Sequence, residues 1–95
     1  MFEIIESSLP GLRELLPVIR EDDRGRFVKG FHAGFFAEHG MAERFLEQYY
    51  SVSQKGVLRG LHFQVPPHDQ DKLVICLDGA IVDVVVDLRV GSPSH

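Results

Sequence analysis

Cysteine is almost missing from this chain: Cys76 is the only one in 95 residues. A lone thiol excludes an internal disulfide framework and fits a reducing compartment. Cys76 lies in the apolar run Leu73-Val74-Ile75-Cys76-Leu77, so it is expected as a small buried hydrophobe rather than a nucleophile. Long hydrophobic runs are missing too. No stretch approaches the ~18 apolar residues that a membrane span needs. The acidic opening Met1-Phe2-Glu3 is not the basic start of a secretion signal. The expectation is a cytoplasmic protein with no membrane partner. Positive charge is in short supply: 10 Lys and Arg stand against 14 Asp and Glu, a formal net charge of -4. That balance argues against a nucleic-acid partner, whose phosphates would be repelled. It leaves a small anionic ligand open, because one arginine acts locally inside an acidic protein. Internal repeats and low-complexity segments are absent.

What is present reads as short strands. The length allows one domain, residues 1–95, with a modest buried fraction. Met1 to Ile5 is apolar and partly β-branched. Pro10-Gly11 marks a turn. Leu15 to Arg20 reads as a second strand, with Pro17 confining it to an edge or a bulge. Asp22-Asp23-Arg24-Gly25 is a polar turn, and Arg26 to Phe31 alternates. Ala33 to His39 is the best short helix, with Gly40 as its C-cap. Further strands are expected over Phe45–Val52, Val57–Val65, Leu73–Leu77 and Ala80–Leu88, the last two joined by an Asp78-Gly79 hairpin turn. Many short strands and one brief helix predict an all-β sandwich or barrel.

The segment Gly56-Val57-Leu58-Arg59-Gly60-Leu61-His62-Phe63-Gln64 carries most of the chemical information. It places a cation and an imidazole in a run that otherwise favours burial. Burying a cation costs several kcal/mol unless it is paired. Two explanations stand side by side: an anionic ligand, or a salt-bridged arginine beside a hydrogen-bonded core histidine. On a regular strand Leu58, His62 and Gln64 face one way and Arg59 the other. A bulge at Gly60 would bring Arg59 and His62 to one side. Lys72, Val74 and Cys76 share a face on the next expected strand, which would turn Lys72 toward His62.

Five histidines raise the question of a metal. Small β-barrels of the cupin type bind metal through His-x-His after a glycine, but here the sequence is His62-Phe63-Gln64. Glutamine is a poor transition-metal ligand beside imidazole. His62 and His68 flank Pro66-Pro67 at a spacing unlike standard ligand pairs, and His32 and His39 bracket the expected helix. No metal is expected.

The segments Asp22-Asp23-Arg24-Gly25-Arg26-Phe27, Gln48 with Ser51-Val52-Ser53, Gly56 to Gln64, Lys72-Leu73-Val74 and Asp83-Val84-Val85-Val86-Asp87-Leu88-Arg89 resemble, in that order, the dTDP-4-dehydrorhamnose 3,5-epimerase family. Within them the hexapeptide Arg59-Gly60-Leu61-His62-Phe63-Gln64 is the specific part. The likeness covers nearly the whole chain, but only about the N-terminal half of a family chain. It implies a cupin-type jelly-roll (double-stranded β-helix), here an incomplete roll. It also implies a homodimer that exchanges N-terminal strands, and inversion of a nucleoside-diphosphate 4-keto-6-deoxy sugar beside its ketone without any cofactor.

By this resemblance His62 is the catalytic base. An imidazole, with an ordinary pKa of about 6.5, is largely neutral near pH 7 and able to take a proton. Lys72 matches the cation that holds the enolate oxygen. Arg24 and Arg59 match residues that grip the nucleotide, and Gln48 matches a substrate contact. Lys29, Tyr50 and Gln64 fall at further substrate-facing positions, and Asp83 is a candidate support for Lys72 or His62. The match is not uniform. Tyr49-Tyr50 replaces the usual aspartate and asparagine, and Lys29 replaces a glutamate, reversing a charge at a ligand contact. These exchanges leave open the nucleotide, the sugar and whether one carbon or two is inverted. The family's tyrosine acid and the aspartate paired with its histidine are expected beyond His95. The competing expectation is a sugar-nucleotide-binding fragment without turnover.

Overall fold

The computed structural model describes residues 1–95. Its regular structure is four strands and one short helix: β1 (Phe2–Glu6), β2 (Arg13–Pro17), β3 (Ile19–Asp22), β4 (Gly25–Val28) and α1 (Ala33–Glu38). The expected all-β character holds at that level. The chain divides into two compact units, one of Met1–His32 with Ile75–His95, the other of Ala33–Val74.

In the first unit β1 and β2 pair antiparallel, with Phe2 opposite Pro17, Ile4 opposite Leu15 and Glu6 opposite Arg13. Residues paired across a ladder share a face. These six are the half-buried or ion-paired positions, while the apolar Ile5 and Leu16 fall on the opposite parity and are exposed. Arg13 Nε meets Glu6 Oε1 at 2.9 Å and closes the ladder. The connecting loop satisfies its own backbone. The Ser7 amide donates to the Leu12 carbonyl, the Leu12 amide to the Leu9 carbonyl, and the Leu9 amide to Ser7 Oγ. Gly11 takes a φ of 89° there, as the Pro10-Gly11 signal implied.

The expected strand from Leu15 to Arg20 is two strands in two sheets. β2 stops at Pro17 and β3 starts at Ile19. Proline has no N–H to extend the ladder, so pairing is handed to a new partner just past it. β3 and β4 form the second antiparallel sheet, with Arg20 opposite Phe27 and Glu21 opposite Arg26. The alternation that begins at Arg26 stays in the ladder only to Val28.

In the second unit α1 ends as its sequence requires. The Met41 amide bonds the Phe36 carbonyl at 2.8 Å, the Gly40 amide bonds that of Ala37, and Gly40 has a φ of 68°. This is the Schellman arrangement, which needs a left-handed residue after the helix. Phe36, 2% exposed, is the apolar side chain that packs most completely.

The strands expected over 45–52, 57–65, 73–77 and 80–88 are not formed. Strand propensity reports fitness for a pleated, half-covered surface, not a strand in itself. Most apolar side chains in these segments are exposed, so no layer covers them and no ladder takes up their backbone groups. Gly79 does adopt the positive φ, 79°, expected of the Asp78-Gly79 turn, but its flanks do not pair. Cys76, expected to be buried, is exposed for the same reason. Its Sγ lies 3.5 Å from the Asp78 carbonyl oxygen.

Candidate functional site

The hairpin of β3 and β4 gathers the densest charge. Its sequence mixes cations and anions: Arg20-Glu21-Asp22-Asp23-Arg24-Gly25-Arg26. Asp22 folds back over the turn, where its Oδ1 accepts the Arg24 backbone N–H at 2.8 Å. This local acceptor role is what favours aspartate at a turn entry. Gly25 follows with a φ of 127°, a region costly for any residue with a Cβ. The Arg24 side chain then closes on the same carboxylate, with Nε at 3.1 Å and Nη2 at 2.6 Å from Asp22 Oδ2. These bonds hold the Asp22 carboxyl below its ordinary range and raise the Arg24 guanidinium. Across the ladder Arg26 meets Glu21 at 2.9 Å. Arg20, Glu21, Asp22, Arg24, Gly25, Arg26 and Phe27 line an open hollow of about 510 Å³. Guanidiniums around an accessible hollow bind anions, because their planar forks match two oxygens of a phosphate or carboxylate.

The unit of Ala33–Val74 holds Gln48, Tyr50, Arg59, His62, Gln64 and Lys72, all exposed and all outside regular structure. Arg59 Nε donates to Ser53 Oγ at 2.9 Å, which ties the start of the hexapeptide to the turn before it. Gly60 has a φ of 118°, but no strand passes through it, so the expected bulge is not formed. A Cβ built there would lie 3.8 Å from both the backbone nitrogen and Nδ1 of His62, an ordinary contact distance. The parity argument for Lys72 does not apply, since neither segment is a strand. No hydrogen bond or ion pair joins any two of these side chains. In the other unit Lys29 follows β4 and Asp83 is exposed; neither is hydrogen-bonded to Arg24. No three His, Cys, Asp or Glu side chains converge as metal ligands would.

Sequence reasoning missed the tightest polar cluster. Asp87 is one of very few buried residues, with its side chain 1% exposed. Its Oδ1 accepts from the Arg89 backbone N–H at 3.0 Å and from Arg89 Nε at 2.9 Å. Its Oδ2 accepts from Arg89 Nη2 at 2.9 Å, Ser92 Oγ at 2.6 Å and Ser94 Oγ. The Arg89 guanidinium, then the two hydroxyls, hold this carboxyl far below the usual range. The available signal was Asp-x-Arg followed by two nearby serines, a self-bonding turn pattern.

A family model described as dTDP-4-dehydrorhamnose 3,5-epimerase matches residues 6–95. The dTDP-4-dehydrorhamnose 3,5-epimerase of Mycolicibacterium smegmatis is 50% identical over 92 residues, covering 94% of this chain and 45% of that protein. The dTDP-4-dehydrorhamnose 3-epimerase of Streptomyces niveus is 47% identical over 88 residues, 92% of this chain and 42% of that protein. The 3,5-epimerase of Escherichia coli K12 is 43% identical over 93 residues, 96% of this chain and 50% of that protein. The chain thus spans about half the length of the curated relatives it matches. No solved structure matches it. No helix is long and apolar enough to cross a membrane.

Proposed function

Because this chain belongs to the dTDP-4-dehydrorhamnose 3,5-epimerase family, we propose that it supplies the base, the enolate-holding cation and the nucleotide grip for epimerising a dTDP-linked 4-keto-6-deoxy sugar. The observation that carries this reading is the Arg59-Gly60-Leu61-His62-Phe63-Gln64 segment in a chain 50% identical over 92 residues to a 3,5-epimerase. The imidazole of His62 takes the proton from the carbon beside the ketone. The C–H electron pair becomes the enolate double bond, and the carbonyl oxygen gains the charge that Lys72 Nζ holds. Return of a proton to the opposite face, from the tyrosine acid that the resemblance places outside these residues, inverts the centre. A placed base supplies roughly 10²–10⁴-fold, and a fixed cation aimed at the forming charge is often the larger contribution.

By the family resemblance Arg24 and Arg59 are each assigned to gripping the nucleotide, Gln48, Tyr50, Gln64 and Lys29 to contacting substrate, and Asp83 to a supporting role. One relative is named as a 3-epimerase and others as 3,5-epimerases, so inversion at carbon 3 is the common step and carbon 5 the variable one. No cofactor takes part. The chain is one domain, part of a cupin-type jelly-roll in a cytoplasmic homodimer with exchanged N-terminal strands. Support for the roll comes from the strand-like segments between Phe45 and Leu88, whose unpaired backbone groups need partners.

The test is incubation with a dTDP-4-keto-6-deoxy sugar in heavy water, followed by proton NMR. The expected result is loss of the signal beside the ketone, slowed about 10²-fold or more in His62→Ala. Binding that is lost in Arg59→Ala, with no exchange in the unsubstituted protein, would replace this reading with a sugar-nucleotide-binding module.

A further inference from the structure

In the β3–β4 hairpin the positions Arg24 would offer a phosphate are already taken. Nε and Nη2 both point at one oxygen, Asp22 Oδ2, at 3.1 and 2.6 Å. Nη1 makes no hydrogen bond, and the side chain is 90% exposed against 51% for Asp22. An incoming anion therefore reaches the free edge of the guanidinium while the carboxylate still holds the other. The second arginine, Arg26, is engaged by Glu21. Arg20, on the rung opposite Phe27, makes no hydrogen bond or ion pair. An exposed pair of this kind sits in a high dielectric and is weak enough to exchange.

We propose that Asp22 is an internal competitor for the anion at Arg24: its carboxylate occupies the donors that a ligand phosphate must take over, and so sets the affinity of the hairpin. This deepens the reading of Arg24 as part of the diphosphate grip, and rests on it. Asp22 acts through Arg24 and is a specificity-determining residue, not a catalytic one. The exchange is one of hydrogen bonds only. As a phosphate oxygen enters at Nη1 and turns onto Nη2, Asp22 Oδ2 is released to water, while Oδ1 keeps the Arg24 amide and the turn stays closed. A monoanionic ligand offers little over the resident carboxylate. A diphosphate brings more charge and more oxygens, so the competitor selects for it.

The test is calorimetric titration of the chain with inorganic pyrophosphate at low salt. Asp22→Asn keeps an acceptor for the Arg24 amide and removes the charge. It is expected to bind pyrophosphate about two- to five-fold more tightly, the range that an exposed ion pair spans. The gain is expected to vanish in the Arg24→Gln background and to be smaller in Asp23→Asn, which changes net charge equally without touching the pair. Asp22→Ser, which also accepts the turn N–H, repeats the test if the asparagine variant misfolds. Unchanged or weaker binding in both variants overturns the proposal. So does an equal gain with Gln at position 24, or no pyrophosphate binding by any form. The heavy-water exchange assay is separate. Exchange without an effect of Asp22 removes the competitor alone, and the expected pyrophosphate pattern without exchange removes the epimerase reading alone.

Discussion

Arg89 Nη2 donates a 2.7 Å hydrogen bond to the carbonyl oxygen of Pro10, joining positions 79 residues apart. The same guanidinium holds the buried Asp87 carboxylate through Nε and Nη2, both at 2.9 Å. A turn between two N-terminal strands is thereby tied to the segment that ends the chain. One planar cation does both tasks because its donors diverge within a plane.

Arg89→Lys is expected to lower the thermal midpoint nearly as far as Arg89→Ala. An ammonium is a single point donor and cannot hold a carboxylate edge-on while reaching the Pro10 carbonyl. Circular dichroism melts of the two variants check this, and full recovery by lysine would contradict it.

Stability should depend on acid in a defined direction. The folded Asp87 carboxyl lies far below its ordinary value of 3.8, so below about pH 4 the unfolded chain binds a proton that the folded chain does not. The stabilisation is full above that pH and is lost as pH falls toward the folded value. Thermal midpoints between pH 2 and 6 are expected to drop steeply below about pH 4. Asp87→Asn is expected to start lower and flatten this drop.

Gly30→Ala is expected to destabilise the first unit only slightly, by about 0.5 kcal/mol or less, because the atom it meets is the end of an exposed, flexible side chain that can turn away. A Cβ at Gly30 would lie 2.8 Å from Ile75 Cδ1. Ile75→Val removes that carbon, so the double variant should be more stable than the sum of the single effects predicts. Denaturant unfolding of the four proteins measures the coupling.

Gly60→Ala should cost about 1–2 kcal/mol, because its φ of 118° is costly for a residue with a Cβ. The added Cβ would meet His62 only at ordinary contact distance, so the penalty is conformational. If Gly60 sets the path between Arg59 and His62, solvent exchange beside the substrate ketone should fall more than stability does. Comparing the two readouts separates positioning from folding.

The turn chemistry was legible without coordinates. Pro10-Gly11, Asp22 to Gly25, Gly40 and Gly79 all stand where a glycine or a self-bonding side chain has a local reason to be, and each behaves accordingly. The helix and the first strand were legible from short-range pattern. The division at Pro17 was only half legible: the missing N–H foretold an interruption, but not that β2 and β3 would join different sheets. At the candidate site the residue types Arg24, Arg59, His62 and Lys72 could be singled out from one dimension. The engagement of Arg24 by Asp22 could not, although the two lie only two residues apart.

Local chemistry is written in neighbouring residues, so turns, caps and the identities of the reactive groups follow from the order of amino acids. Pairing is not. Val57 to Val65 and Ala80 to Leu88 have strand composition, yet a strand exists only when another segment takes up its N–H and C=O groups. The burial of Asp87 and the reach of Arg89 to Pro10 likewise depend on where distant backbone comes to rest, and only the three-dimensional fold decides that.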